Sequence, residues 1–197
     1  IMSDEDRMIT EDDLRWYESK DLPQLLPFLN IYVTTDWATS ERQSADFSGT
    51  NAWGINNNGD WYWLAGVCVR QTMDKNIETL FNYVTNYRPI SVGIEVSGQQ
   101  GGFIPWIKQE MVRRNTFFTL ASSNNGGREG IKPSTDKLQR FNVVVPWFKQ
   151  GKIYFPQDKQ ATDPALREML SEIRLVSPAG FKSKHDDQLD NVSQLAL

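Results

Sequence analysis

Three carboxylates stand where apolar residues are expected. Asp36 closes the run Ile31-Tyr-Val-Thr-Thr, and Glu95 sits inside Val92-Gly-Ile-Glu-Val. Asp186 and Asp187 open a C-terminal helical stretch that carries Asp190 one turn further on. A carboxylate within a buried strand is costly unless it is paired or coordinates a cation. Side chains alternate along a strand, so Tyr32, Thr34 and Asp36 share one face, while Val92, Ile94 and Val96 occupy the face opposite Glu95. If the two strands are neighbours, Asp36 and Glu95 come together, and the start of the last helix is placed to add Asp187. Clustered carboxylates repel unless divalent ions lie between them, and an all-oxygen donor set suits Mg2+ or Mn2+. Two such ions about 4 Å apart activate a water and stabilise the leaving oxygen in phosphodiester hydrolysis. Each acid also has a plainer reading. A strand-end Asp forms turns, and Asp186 or Asp187 is a natural helix N-cap. Glu95, flanked by Val, Gly, Ile and Val, is the hardest to explain that way. Asp46 reads as an outer acid or a loop capper, His185 as a neighbouring base or a loop residue, and Cys68 as core.

Such acids need a sheet to position them. Residues 31–36 are β-branched and aromatic, as a buried strand requires. Strands at 50–55 and 61–70 flank Asn56-Asn-Asn-Gly-Asp60, whose Asn-Gly pair signals a hairpin turn. Ile77, Leu80, Phe81 and Val84 fall on one side of a helix over 72–87. A strand follows at 90–96, a loop at 98–102, a helix over 103–114 and a strand at 116–121. The Gly/Asn/Ser-rich stretch 122–133 reads as a mobile loop. Helices are expected over 135–150 and 164–175, with a short strand at 153–155 between them. Residues 10–20 have helical flavour through Leu14 and Tyr17. The order predicts an α/β fold: a mixed central sheet, with a three-strand antiparallel meander and further parallel strands, flanked by helices.

The 197 residues suffice for one sizeable core. No apolar run is long enough for a membrane helix, so no membrane partner is expected. One cysteine and one histidine exclude an internal disulfide, a multi-Cys zinc site and a three-His metal site. There is no G-x-x-x-x-G-K-[ST] phosphate loop. The net charge of −4 argues against nucleic acid until its distribution is considered. Residues 1–24 hold eight acids against three bases, which leaves the remainder at about +1. Residues 108–152 carry nine bases against three acids, an excess able to meet a phosphate backbone or simply to face solvent. Within it, Arg128 and Lys132 flank Gly130, and Lys137 and Arg140 stand at i and i+3 on a helix. These four are the candidate DNA contacts, with an idle connection as the alternative for the loop.

Several segments together resemble the C-terminal nuclease domain of tailed-phage large terminases. Ile31-Tyr-Val-Thr-Thr-Asp36-Trp-Ala followed by Ala45-Asp46-Phe-Ser-Gly is similar to that family's first-strand acid and the segment leading into its second strand. Val92-Gly-Ile-Glu95-Val-Ser-Gly matches its strand-four acid, and Lys184-His185-Asp186-Asp187-Gln-Leu-Asp190 its closing acidic helix. Lys137-Leu-Gln-Arg140 and Gly151-Lys-Ile-Tyr-Phe-Pro156 fall between them in order. The resemblance spans about residues 30–197. It implies an RNase H-like fold and a two-metal endonuclease that cuts concatemeric viral DNA during genome packaging. Asp36, Glu95 and an Asp of the last motif would carry the metals, Asp187 by preference and Asp186 or Asp190 as alternates. It further implies an ATPase domain in the same longer chain, consistent with the Ile1-Met2 start, with residues 1–29 as an acidic linker and 30–197 as the nuclease domain. Small terminase and portal proteins would be partners, at the procapsid in the host cytoplasm.

Two other readings compete. One is a different RNase H-like nuclease, such as a resolvase, transposase or ribonuclease. The other is a non-catalytic interaction domain presenting some of its seven tryptophans.

Overall fold

The acidic N-terminal segment is drawn onto the body of the protein. In the computed structural model, residues 3–38, 47–96, 103–181 and 187–197 are described. Residues 10–20, expected to be helical, form one short turn at Glu11–Asp13 and then strand β1, Arg15–Tyr17. The charge pattern and two apolar side chains explain the change. Asp13 pairs with Lys149 at 2.7 Å and Glu11 with Arg174 at 2.6 Å. Ile9 and Leu14 are buried in the core. These tertiary gains override a weak local helix preference. Part of the segment read as a linker thus lies in the sheet and the core.

A single turn, α1 (Leu22–Leu25), leads to β2 (Asn30–Asp36), β3 (Ser48–Ile55) and β4 (Trp61–Val69). These three form the expected antiparallel meander, with Thr34 opposite Asn51 and Trp53 opposite Trp63. Helix α2 (Met73–Tyr87) starts from Thr72 and returns the chain to β5 (Ser91–Gly93), which runs parallel to β2. Helix α3 (Phe103–Arg114) follows. The strand expected at 116–121 shrinks to one parallel bridge between Leu120 and Val92. Short strands β6 (Ser122–Ser123) and β7 (Gly130–Ile131) pair with each other before α4 (Lys137–Lys149). Strand β8 (Ile153–Pro156) inserts between β1 and β4, parallel to both. Helix α5 (Pro164–Leu175), the small hairpin of β9 (Val176–Ser177) and β10 (Gly180–Phe181), and α6 (Asp187–Leu195) complete the chain. The main sheet has the order β1-β8-β4-β3-β2-β5.

Two apolar layers sandwich the sheet. Helices α2 and α3 cover one face over Val33, Ala52, Leu64, Val92 and Ile94. Helices α4, α5 and α6 cover the other over Trp53, Trp63, Ile153 and Phe155. Trp53, Trp61 and Trp63 are buried, so these three are core rather than a presented surface. The stretch 122–133, expected to be mobile, is instead hydrogen-bonded into the sheet edge. Ser122 Oγ donates to Arg128 O at 2.6 Å, Ile131 N to Ile94 O at 2.8 Å, and Val96 N to Ile131 O at 2.8 Å.

Candidate functional site

Strand alternation decides which way the acids turn. Val92, Ile94 and Val96 fill the layer beneath α2 and α3, so Glu95 turns toward α6. On β2, Thr34 accepts a hydrogen bond from Trp53 Nε1 at 3.0 Å on the α6 side, and Asp36 lies two residues further along the same face. Parallel pairing of Thr34 with Gly93 brings the two strand ends level. The third acid comes from the first turn of α6. One carboxylate oxygen each from Asp36, Glu95 and Asp190 lie within 4.8 Å of one another.

The cluster is partly sealed and electrically strained. Burial pushes the Glu95 carboxyl above the ordinary carboxylate range, and the nearby charge of Asp190 adds to that, while Arg140 and Lys137 oppose it. Lys137 Nζ lies 4.0 Å from Asp36 Oδ2. Arg140 reaches Asp190 Oδ1 through Nε at 3.1 Å and Nη2 at 2.8 Å, and its Nη1 donates to the Thr135 carbonyl. Both bases come from the first turn of α4, which Asp136 caps by accepting from Gln139 N at 2.8 Å. Three converging carboxylates with only oxygen donors fit a hard divalent ion such as Mg2+ or Mn2+.

Helix α6 holds the acids by hydrogen bonds more than by grease. Gln188, Asn191, Ser193 and Gln194 are all buried. Gly93 is the last residue of β5 paired with β2, and the Gln194 amide continues the ladder beyond it. Gln194 Oε1 accepts from Thr35 N at 3.0 Å and its Nε2 donates to Thr35 O at 2.9 Å, one residue from Asp36. A Cβ at Gly93 would collide with that amide, and one at Gly49 would lie 2.8 Å from Asn191 Nδ2. Gln188 Oε1 accepts from Asn51 Nδ2 at 2.8 Å, and Asn51 Oδ1 accepts from Trp63 Nε1 at 2.8 Å. At the helix start, Glu172 Oε1 accepts from Gln188 N at 3.0 Å and Leu189 N at 3.5 Å. The sequence reading missed Glu172, Gln188, Gln194, Thr35 and Asn51. The available signal was the density of amide side chains in a helix otherwise marked only by Leu189, Val192 and Leu195.

The other candidates are placed as follows. Asp187 opens α6, but its side chain, like all of Asp46, His185 and Asp186, lies outside the described residues, as does the loop 98–102. Lys137 and Arg140 face the acids. Arg128 and Lys132 are exposed on the segment whose Ile131 bridges Glu95.

No family model matches the sequence, and no curated protein does. Solved structures do match. The human cytomegalovirus terminase nuclease domain superposes with a TM-score of 0.64 at 14% identity, covering 100% of this chain and 94% of that one. The large terminase nuclease of thermophilic phage G20c with bound magnesium superposes with a TM-score of 0.55 at 14% identity, covering 85% and 80%. The fold is the RNase H-like fold of terminase nuclease domains. The resemblance read from the sequence therefore holds at the level of the fold. A Mn-soaked form of the cytomegalovirus terminase nuclease domain matches as well, with a TM-score of 0.61 at 15% identity over 95% of this chain and 93% of that one.

Proposed function

We propose that this domain is a metal-dependent endonuclease that cuts concatemeric viral DNA during genome packaging. The observation that carries the reading is the convergence of Asp36, Glu95 and Asp190 at the strand ends of a terminase-nuclease fold. These three would hold two divalent ions, with Asp187, Asp186 and His185 close by in sequence. When bound, such ions activate a water and stabilise the leaving oxygen of a phosphodiester. The chain's own part is positional. Gln194 fixes the backbone beside Asp36, Arg140, held by the Thr135 carbonyl, pairs with Asp190, and Lys137 adds a positive charge beside Asp36 where a phosphate would approach. Duplex DNA would be met by Arg128, Lys132 and Lys137. Removing Arg128 and Lys132 together should lower the salt slope of DNA binding by about 2, at about 0.9 per phosphate lost, and leave metal binding unchanged. An ATPase domain of the same longer chain would supply the motor, with small terminase and portal proteins as partners at the procapsid in the host cytoplasm.

Plasmid digestion tests the reading. Cutting is expected with Mg2+ or Mn2+, none with EDTA, and none by Asp36→Asn under any condition. Cutting that survives EDTA, or survives in purified Asp36→Asn, would overturn the metal assignment.

A further inference from the structure

We propose that Arg140 is a built-in counter-ion of the acid cluster, which makes the site take its two divalent ions in unequal steps, the second in competition with the guanidinium. The inference rests on the metal reading above and adds what α4 contributes to it. Arg140 is anchored at both ends of its guanidinium. Nε and Nη2 both fall on one oxygen of Asp190, at 3.1 and 2.8 Å, and Nη1 is held by the Thr135 carbonyl. The pair is well shielded, with side-chain exposures of 12% for Arg140 and 5% for Asp190. A guanidinium keeps its proton at any working pH, so the positive charge is permanent.

Lys137 is the internal contrast. Its ammonium stands 4.0 Å from Asp36 and is 37% exposed, a pair that water and salt weaken easily. The cluster is therefore lopsided. The Arg140 charge also bears on Glu95, ahead of that of Lys137, but only Asp190 has an oxygen already committed to it by two hydrogen bonds. The first ion is favoured where no carboxylate oxygen has to give up a guanidinium hydrogen bond. The second must displace Arg140 from Asp190 Oδ1 or sit beside its charge. A charge-assisted hydrogen bond of this kind corresponds to roughly tenfold or more in affinity.

Calorimetric titration of the metal-free protein with MnCl2 tests this, on wild type, Arg140→Gln, Arg140→Lys and Lys137→Gln. Wild type should show two classes of site at least about tenfold apart. Arg140→Gln should tighten the weaker class and close the gap, Arg140→Lys should keep the gap, and Lys137→Gln should leave the ratio unchanged. Two equal classes in wild type overturn the proposal with no variant needed. So does an unchanged ratio in Arg140→Gln, or loss of its weaker class, which would make Arg140 an orienting group for Asp190 rather than a competitor. Should Arg140→Gln not fold, as circular dichroism would report, Arg140→Met, which keeps the length of the side chain without its charge, takes its place with the same expected and overturning results. Failure of every protein to bind Mn2+ would instead overturn the metal reading itself.

Discussion

Helices α2 and α6 lie on opposite faces of one sheet and are attached to it by different forces. Helix α2 buries Met73, Ile77, Leu80, Phe81 and Val84, with Asn76 as its buried polar residue. Helix α6 buries Gln188, Asp190, Asn191, Ser193 and Gln194, and contributes Leu189 and Val192 to its core cluster, with a half-buried Leu195 packed against it. Apolar packing is non-directional and tolerates small shifts. Paired amides accept one geometry each, because a buried polar group left without its partner costs about 1–3 kcal/mol. Helix α2 is thus attached for stability and α6 for holding carboxylates in register. Substitutions on the two helices should separate these properties.

The largest effect is expected at the acids themselves. Asp36→Asn and Glu95→Gln should each abolish detectable DNA cleavage, a loss on the order of 10³-fold or more, since metal-borne charge stabilisation is worth several kcal/mol. Both should keep the wild-type circular dichroism spectrum. Asp190→Asn should behave differently. It also strips Arg140 of its partner, and breaking a buried ion pair costs about 3–5 kcal/mol. Loss of activity with unchanged stability in Asp190→Asn would mean that Arg140 finds another acceptor.

Next come the two helix faces. Leu80→Ala should cost about 2–5 kcal/mol in urea unfolding, through lost burial and the cavity left behind, while the folded variant binds Mn2+ as wild type does. Gln194→Leu should cost about 2–4 kcal/mol by orphaning Thr35 N–H and C=O, and should also weaken Mn2+ binding, because Thr35 precedes Asp36. If both variants leave metal affinity alone, the division of labour between the two helices is wrong. Gly93→Ala should follow with about 1–3 kcal/mol from overpacking, since its new methyl group meets the Gln194 amide. Its Mn2+ affinity should fall in parallel with that of Gln194→Leu.

The same contrast explains how far the chain could be read in advance. Helix α2 was legible because Ile77, Leu80, Phe81 and Val84 repeat with the helical period, and periodicity reports burial in an apolar layer. Asp36 and Glu95 were legible because each interrupts an apolar strand, and the period of two says which face each must take. The attachment of α6 was not, since an amide in a sequence carries no mark of its partner, and Gln194 lies 159 residues from Thr35. The N-terminal strand was misread for a related reason. Leu14 and Tyr17 are spaced as on a helix, and only the fold reveals Lys149 and Arg174 waiting for Asp13 and Glu11. The strand expected at 116–121 lies beside β5, but only Leu120 completes a bridge. Arg140, taken from its spacing as a phosphate contact, is turned inward to Asp190 by an ion pair no local pattern announces.

The smallest effect is a stabilisation, and its size depends on pH. Burial and the charge of Asp190 hold the Glu95 carboxyl above its ordinary range in the folded protein. In the unfolded chain it titrates in the ordinary range. Above the raised value Glu95 is charged in both states, and the native state bears the cost of keeping that charge buried beside another acid. As pH falls through the raised value toward the ordinary range, the native state takes up a proton first and the cost disappears. Glu95→Gln removes the charge at every pH. In EDTA the variant should therefore melt above wild type at neutral pH, with the difference shrinking toward zero as the pH drops into the ordinary carboxylate range. Adding Mn2+ at neutral pH should reverse the order, because wild type then gains stability from ligand binding that the variant has largely lost. A variant that melts below wild type in EDTA at neutral pH would show that Lys137 and Arg140 more than offset the burial of Glu95, and that the cluster is stable as a charged group before any cation arrives.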